Sequence, residues 1–334
     1  MRCFWDPRQL AHAPALEIHN GRFEPCAETP SRAQAILDAL PPTEPPRDHG
    51  EEPILRVHPG DYVQFLKSAH SDWVAAGREG DAIPYAFPVA RRRPLRLDRI
   101  DARLGRYAYD TCTPIADGTW QTAYWSAQST LSALDAVLEG DRSAFALCRP
   151  PGHHAGADYF GGYCFLNTAA IAAEAAIAAG RRRVAILDID YHHGNGTQDI
   201  FYGRGDVFFA SIHADPASDY PFYWGHSDER GEGEGEGANL NLPLPQGTTI
   251  SGFGAALDRA LEAIAAYAPN LLICSYGAHT FAGDPISYFE VQTDDYPILA
   301  RRIASLGLPT LIVMEGGYAV DALGRNVAAF LEGF

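Results

Sequence analysis

Apolar positions follow two alternating patterns from residue 120 to the end of the chain. Short, continuous apolar runs occupy residues 144–148, 184–189, 207–212, 271–274 and 310–314. Before, between and after them, stretches 122–138, 167–179, 251–267, 294–306 and 320–331 place apolar residues at helical spacing. The runs predict strands and the spaced stretches predict helices. Continuous rather than alternating apolar strands are covered on both faces. Strands that alternate with helices form a mostly parallel sheet, so the expected fold is a single α/β domain with helices on both faces. Residues 1–105 read differently. They are rich in Pro, Arg and Asp, and Pro41-Pro42-Thr43-Glu44-Pro45-Pro46 predicts a loop. A helix is expected to begin at Asp61-Tyr62-Val63-Gln64-Phe65-Leu66. This region is expected to decorate the domain with helices and loops. Gly231-Glu232-Gly233-Glu234-Gly235-Glu236-Gly237 is low in complexity and predicts a mobile surface loop.

Composition narrows the function. With 46% apolar and 20% charged residues over 334 positions, the chain is globular rather than disordered. The formal net charge is −16, which argues against general nucleic-acid binding, because phosphate neutralisation needs clustered Lys and Arg. The only basic runs are Arg91-Arg92-Arg93 and Arg181-Arg182-Arg183, each read as a solvated surface. An acidic surface suits a cationic ligand through steering, or it serves solubility alone. The six cysteines, at 3, 26, 112, 148, 164 and 274, show no C-x-x-C spacing, and several lie in apolar runs. Buried reduced thiols and a cytoplasmic location are therefore expected. The N-terminus lacks the apolar core of a signal peptide. The Ala-rich stretch 169–179 carries Glu174 and is too short to span a bilayer, so no membrane partner is expected.

Candidate chemistry collects at the strand ends, where open parallel sheets place their sites. Arg149-Pro150-Pro151-Gly152-His153-His154 follows the first run, and Asp188-Ile189-Asp190-Tyr191-His192-His193-Gly194-Asn195-Gly196 follows the second. Ser211 and His213 come after Phe209, Ser275-Tyr276-Gly277-Ala278-His279 after Cys274, and Glu315-Gly316-Gly317-Tyr318 after Met314. Asp188, Asp190 and His192 share a face if the strand continues that far, and carboxylate with imidazole suits zinc. The plainer reading, a strand end capped by polar groups, leaves three buried ionisable groups in need of partners. His153 and His154 suit acid–base work near neutral pH. Tyr318 on a glycine turn suits donation to an oxyanion.

Taken together, these motifs resemble the histone deacetylase superfamily, with its arginase-like fold, and most closely the bacterial acetylpolyamine amidohydrolases. The likeness also includes Ala155-Gly156, Phe160-Gly161-Gly162-Tyr163-Cys164-Phe165-Leu166-Asn167, Thr197-Gln198 and Gly283-Asp284-Pro285-Ile286-Ser287. It implies a zinc-dependent amide hydrolase with one zinc per chain. Asp190 and His192 match metal ligands. His153 and His154 match the pair that moves protons of the attacking water, with Asp188 and Asn195 as their orienting partners. Tyr318 matches the tyrosine that polarises the substrate carbonyl. Asp188, Asp190, His192, Ser211 and Ile212 match positions that hold a structural potassium ion. Gly162, Tyr163, Phe222 and Tyr223 resemble walls of a narrow substrate tunnel, and Asp110 resembles a rim aspartate that meets the substrate. The implied substrate is a small cationic acylated amine or acyl-lysine. The implied assembly is a homodimer, with residues 81–104 as a candidate contact.

One position departs from the family pattern. Where the resemblance implies an aspartate as third metal ligand, this chain has His279. A two-His, one-carboxylate zinc site is chemically ordinary, so retained zinc is the expectation. The charge of ion plus ligands would rise from zero to plus one. Two alternatives stay open: lost affinity, leaving a weak or inactive protein that binds cationic amines, or a preference for ferrous iron. A two-metal hydrolase of the arginase type would need more carboxylates after Gly277, and only Asp284 is near.

Overall fold

A computed structural model describes residues 1–89 and 97–334. The Arg91-Arg92-Arg93 run and the middle of the 81–104 segment lie outside the described residues. The strands are β1 (Arg2–Phe4), β2 (Leu16–His19), β3 (Arg22–Pro25), β4 (Ser143–Ala146), β5 (Val184–Asp188), β6 (Val207–Ala214), β7 (Asn239–Leu244), β8 (Leu271–Tyr276) and β9 (Thr310–Met314). The helices are α1 (Pro30–Ala39), α2 (Glu52–Leu55), α3 (Gly60–Ala75), α4 (Ile100–Tyr107), α5 (Thr119–Glu139), α6 (Thr168–Ala178), α7 (Asn195–Phe201), α8 (Ile250–Tyr267), α9 (Tyr296–Ala304) and α10 (Val320–Leu331).

Seven strands form one parallel sheet in the order β1-β4-β9-β8-β5-β6-β7 among the described residues. Every residue of β4, β5, β6, β8 and β9 is buried, as continuous apolar runs require. Each fully buried Leu, Ile or Val adds about 1.5–3 kcal/mol of burial free energy. Helices flank the sheet: α5 packs on β4 and α6 on β5 and β8, while α8 packs on β6 and β7. Asn167 caps α6 by accepting from the Ala170 N–H at 2.9 Å, which satisfies an otherwise orphaned helix donor.

The predicted strands and helices are all present, and the sheet is wider than expected. β1 and β7 join its edges; β1 has only three residues, too few for a periodic signal. β1 also ties the N-terminus into the sheet through β4. The stretch 231–237 is a hydrogen-bonded turn rather than a free loop: Glu232 N–H bonds Tyr202 O at 2.9 Å and Gly237 N–H bonds Arg230 O at 2.7 Å. A Cβ at Gly235 would stand 2.4 Å from Tyr202 O, so the glycine permits close approach of two backbones. All six cysteines are free, with Cys112 partly exposed and the others buried. Among the described residues, no helix is long and apolar enough to cross a membrane.

The order of the strands decides where a site forms. From β5 the chain proceeds outward through β6 to β7, then returns to β8 on the opposite side of β5 and continues to β9. The connections above β5 and β8 therefore diverge and leave a crevice at the carboxyl ends of these strands.

Candidate active site

That crevice deepens into a cavity of about 410 Å³. Segments following β4, β5, β8 and β9 supply His153 and His154, Asp190 and His192, His279, and Gly316 and Tyr318 to its lining. Four strand ends that are far apart in sequence thus meet at one place.

The tandem histidines have unlike partners. His153 Nδ1 lies 2.9 Å from Asp188 Oδ2, and His154 Nδ1 lies 2.6 Å from Asn195 Oδ1. All four residues are buried. Burial by itself lowers the His153 imidazole, but the Asp188 carboxylate outweighs it and lifts the group to about 10. His154 is pushed well down by burial, reinforced by the neighbouring His153 and His192. An amide oxygen only accepts, so it selects the His154 tautomer with hydrogen on Nδ1 and leaves Nε2 with a lone pair. Asn195 Nδ2 faces His154 O and Tyr159 Oη, each at 3.4 Å, which fixes the direction of the amide.

β5 ends at Asp188, so the three ionisable groups do not share one extended strand face. Asp188 turns to His153, and its Oδ1 accepts the Asp190 N–H at 3.1 Å. Beyond it the chain turns, with Asp190 Oδ1 accepting from His192 N–H at 3.0 Å. Asp190 and His192 still converge, and His279 completes the group: their ligand atoms lie within 4.8 Å of one another. Two imidazoles and a carboxylate fit the donor set of a catalytic zinc site. Small residues make the room. A Cβ at Gly277 would stand 1.6 Å from Asp190 Oδ2, and one at Gly316 would stand 2.7 Å from the same oxygen. Burial alone would raise the Asp190 carboxyl, but His279, His153 and His192 hold it well below the usual range. A second group, His153, Cys164 and Glu315, is equally close. Its carboxylate is already engaged: Glu315 Oε2 accepts from Gly152 N–H at 2.7 Å and His153 N–H at 3.1 Å, and Oε1 accepts from Ser275 Oγ at 3.0 Å.

Tyr318 sits across from the histidines, its ring 4.9 Å from that of His279 in an edge-on arrangement. Burial drives its phenol well above the ordinary value, against the pull of Arg32, so the hydroxyl stays a donor. Arg32 supports the turn from behind. Its guanidinium donates to Gly317 O at 2.7 Å and Glu315 O at 2.8 Å, and lies 4.7 Å from the Tyr318 ring centre. Glu28 accepts from Arg32 NH1 at 2.7 Å and lies 2.9 Å from Arg149 NH2. None of Glu28, Arg32 and Arg149 is more than 2% exposed.

The other site residues named from the sequence divide. Asp110 Oδ2 accepts from Gly162 N–H at 2.6 Å and Tyr220 Oη at 3.0 Å, while its buried Oδ1 has no hydrogen-bond partner among the described residues. Gly162 adopts φ 54°, and a Cβ there would stand 2.2 Å from the His154 ring. Tyr163 also adopts a positive φ, 66°, held by its N–H bond to Thr113 Oγ1 at 2.9 Å and its hydroxyl bond to Glu17 at 2.9 Å. Gly162, Tyr163 and Phe222 line the cavity. Tyr223 does not; it is 82% exposed and lines an adjoining groove with Trp224 and Asp110. Tyr220 is a half-buried aromatic wall of the cavity, its ring 5.2 Å from His154 and 5.4 Å from His192. His213 lies within β6 rather than past its end, and it bonds Ser211 Oγ at 2.8 Å and Gly225 O at 2.9 Å. Ser211 and Asp188 are register partners, and Ile212 follows, buried, on β6. Glu17, Glu28, Arg32 and Asp219 escaped the sequence reading. None stands in a repeating pattern, and only their tertiary contacts reveal them.

Residues 25–334 match the family model described as the histone deacetylase domain. The chain belongs to that family. Within it, an acetylpolyamine amidohydrolase of Pseudomonas aeruginosa is 51% identical over 331 residues, covering 97% of this chain and 95% of the relative. An acetylpolyamine amidohydrolase of Mycoplana ramosa is 46% identical over 335 residues, covering 99% and 98%. The crystal structure of an acetylpolyamine aminohydrolase from Burkholderia pseudomallei superposes with a TM-score of 0.96 at 42% identity, covering 100% of this chain and 98% of the other. The histone deacetylase fold, a seven-stranded parallel sheet flanked by helices, is therefore that of this chain. The buried Asp190 and His279 and the half-buried His192 are a candidate for the metal on which the family depends.

Proposed function

We propose that the protein hydrolyses the acetyl amide of a small cationic amine, in the manner its acetylpolyamine amidohydrolase relatives are named for. One observation carries this reading: His154, with Nε2 free as a base, opens into the same cavity as the Asp190, His192 and His279 cluster and Tyr318. Zinc held by these three side chains would polarise the amide carbonyl and activate water. His154 takes a proton from the attacking water. The Tyr318 hydroxyl donates to the oxygen that gains charge as water adds to the carbonyl carbon. The C–N bond then breaks, and the amine leaves with a proton from His154 or His153, releasing acetate. Until that step His153 is held cationic by Asp188.

The walls suit a cationic chain. Asp219 lines the cavity, and Asp110 lies at its border beside Gly162, with an Oδ1 that has no hydrogen-bond partner among the described residues. An ammonium or amide N–H satisfies such an acceptor. Structural potassium is proposed at Asp188, Asp190, His192, Ser211 and Ile212; Asp188 and Ser211 are register partners on adjacent strands, and a hard cation takes oxygen ligands. A homodimer is proposed through the face bearing Phe87 (40% exposed) and Tyr223, whose apolar area invites a second copy. Six free cysteines support a reducing cytoplasm. The non-catalytic alternative rested on His279 alone. His279 lies with Asp190 and His192 in a group that could hold a metal, which supports the hydrolytic reading.

The test pairs metal content with turnover of N-acetylputrescine and an acetyl-lysine amide, before and after added zinc. The expected result is about one zinc per chain and release of acetate. An absence of bound metal and of turnover after reconstitution would overturn the reading.

A further inference from the structure

His279 lies between two carboxylates. Its Nδ1 is 3.3 Å from Asp190 Oδ1, and its Nε2 is 3.3 Å from Asp284 Oδ1. The imidazole is 1% exposed, and Nε2 makes no hydrogen bond of acceptable angle with any described residue. A buried donor left in this state is costly unless it acquires a partner, and Asp284 is the group within reach. The two nitrogens also differ in surroundings. Nδ1 points toward the space above Gly316, where a Cβ would stand 3.2 Å from it and 2.7 Å from Asp190 Oδ2. Nδ1 is thus the nitrogen beside Asp190, the carboxylate of the ligand group, whereas Nε2 is the one beside Asp284.

Asp284 is held in place independently of His279. Its Oδ2 accepts from Tyr318 N–H at 2.6 Å and Ala319 N–H at 3.2 Å, and its Oδ1 accepts from Ile286 N–H at 3.1 Å. It cannot swing into the metal cluster without abandoning the turn that carries the phenol. It is therefore not an extra ligand for a second metal. What it can do is orient the ring in front of it.

We infer that Asp284 is the positioning carboxylate of His279: it accepts the Nε2 hydrogen, leaves Nδ1 as the metal-facing atom, and restores one step back the negative charge that an aspartate at position 279 would place on the ion. The inference rests on the metal-site reading above. It explains how a neutral ligand is accommodated where the family pattern has a charged one. A metal-bound imidazole whose other nitrogen meets a carboxylate is a stronger and better oriented ligand. One carboxylate then sets both the third ligand and the Tyr318 turn.

Two measurements on the full chain test this. In zinc-loaded protein with 15N-labelled histidines, two-bond proton–nitrogen correlations report which nitrogen carries hydrogen, with His279 identified by its loss in His279→Asp. The expected state is hydrogen on Nε2 and zinc on Nδ1; hydrogen on Nδ1 overturns the inference. Zinc affinity is then measured by chelator competition for the wild type, Asp284→Asn, His279→Asp and the double variant. Asp284→Asn should weaken zinc binding about 10–100-fold beside His279 and clearly less in the His279→Asp background. An equal loss in both backgrounds, or none in either, shows a merely structural role and overturns it. If Asp284→Asn does not fold, the wild-type spectrum decides. Zinc-loaded wild type with the opposite tautomer defeats the pairing alone, whereas wild type that takes up no zinc defeats the metal-site reading along with it.

Discussion

Asn195 places an uncharged amide oxygen 2.6 Å from Nδ1 of His154, while the adjacent His153 faces the Asp188 carboxylate at 2.9 Å. Two side chains next to each other in sequence are thereby set to opposite protonation states. The carboxylate stabilises an imidazolium, and the amide stabilises only the neutral ring. A base and a cation at adjacent positions follow from that single difference.

Replacing Asn195 with Asp should erase the difference. The new carboxylate raises His154, and a base is useful only above its own pKa, so the acid limb of the kcat/KM profile should move to higher pH. The expected displacement is about one unit or more. An unmoved limb in N195D would mean that His154 is not the base.

Tyr318→Phe removes the phenolic donor and keeps the ring against His279 and Arg32. kcat should fall about 10²–10³-fold, the usual loss for one oxyanion donor, with zinc content unchanged. A variant that keeps full turnover would exclude the donor role.

Glu28→Gln tests the support behind that tyrosine. It leaves Arg32 and Arg149 buried without their shared countercharge. Breaking such a cluster by removing one member costs about 3–5 kcal/mol. Urea unfolding should show a clearly lowered midpoint, and an unchanged midpoint would mean that backbone carbonyls alone satisfy the two arginines.

His58 makes stability depend on pH away from the reacting groups. It is fully buried, with Nδ1 2.9 Å from Ala157 O and Nε2 accepting the Asn167 N–H at 3.0 Å. Only the neutral ring satisfies both contacts, and burial lowers the group to about 4. Because the folded value lies below the unfolded one of about 6.5, the unfolded chain binds more protons between these limits. Stability from His58 is complete above pH 6.5 and is lost as pH falls toward 4, by up to roughly 3 kcal/mol. Unfolding free energies at pH 7 and pH 5 should converge in His58→Gln relative to wild type. Equal slopes in the two proteins would contradict this.

Local pattern made the central strands legible, because a strand covered on both faces must be apolar throughout. The short strand β1 and the edge strand β7 lacked that signal, and the glycine–glutamate stretch 231–237 looked loose because its packing against Tyr202 is non-local. The Asp-x-Asp-x-His segment and His153-His154 were visible as chemistry, yet the route to convergence was not: Asp188 serves His153, while Asp190 and His192 meet His279 after the strand has ended.

By itself, the sequence determined which elements form, which donor atoms are available, and that a histidine stands where the family pattern has an aspartate. Those are properties of residue identity and of short-range periodicity. Only the tertiary structure decided that Asn195 rather than a carboxylate backs His154, that Arg32 and Glu28 brace the Tyr318 turn, and that Asp284 lies behind His279. The longest of these contacts join residues 283 and 285 positions apart, and the folded sheet brings them within bonding distance.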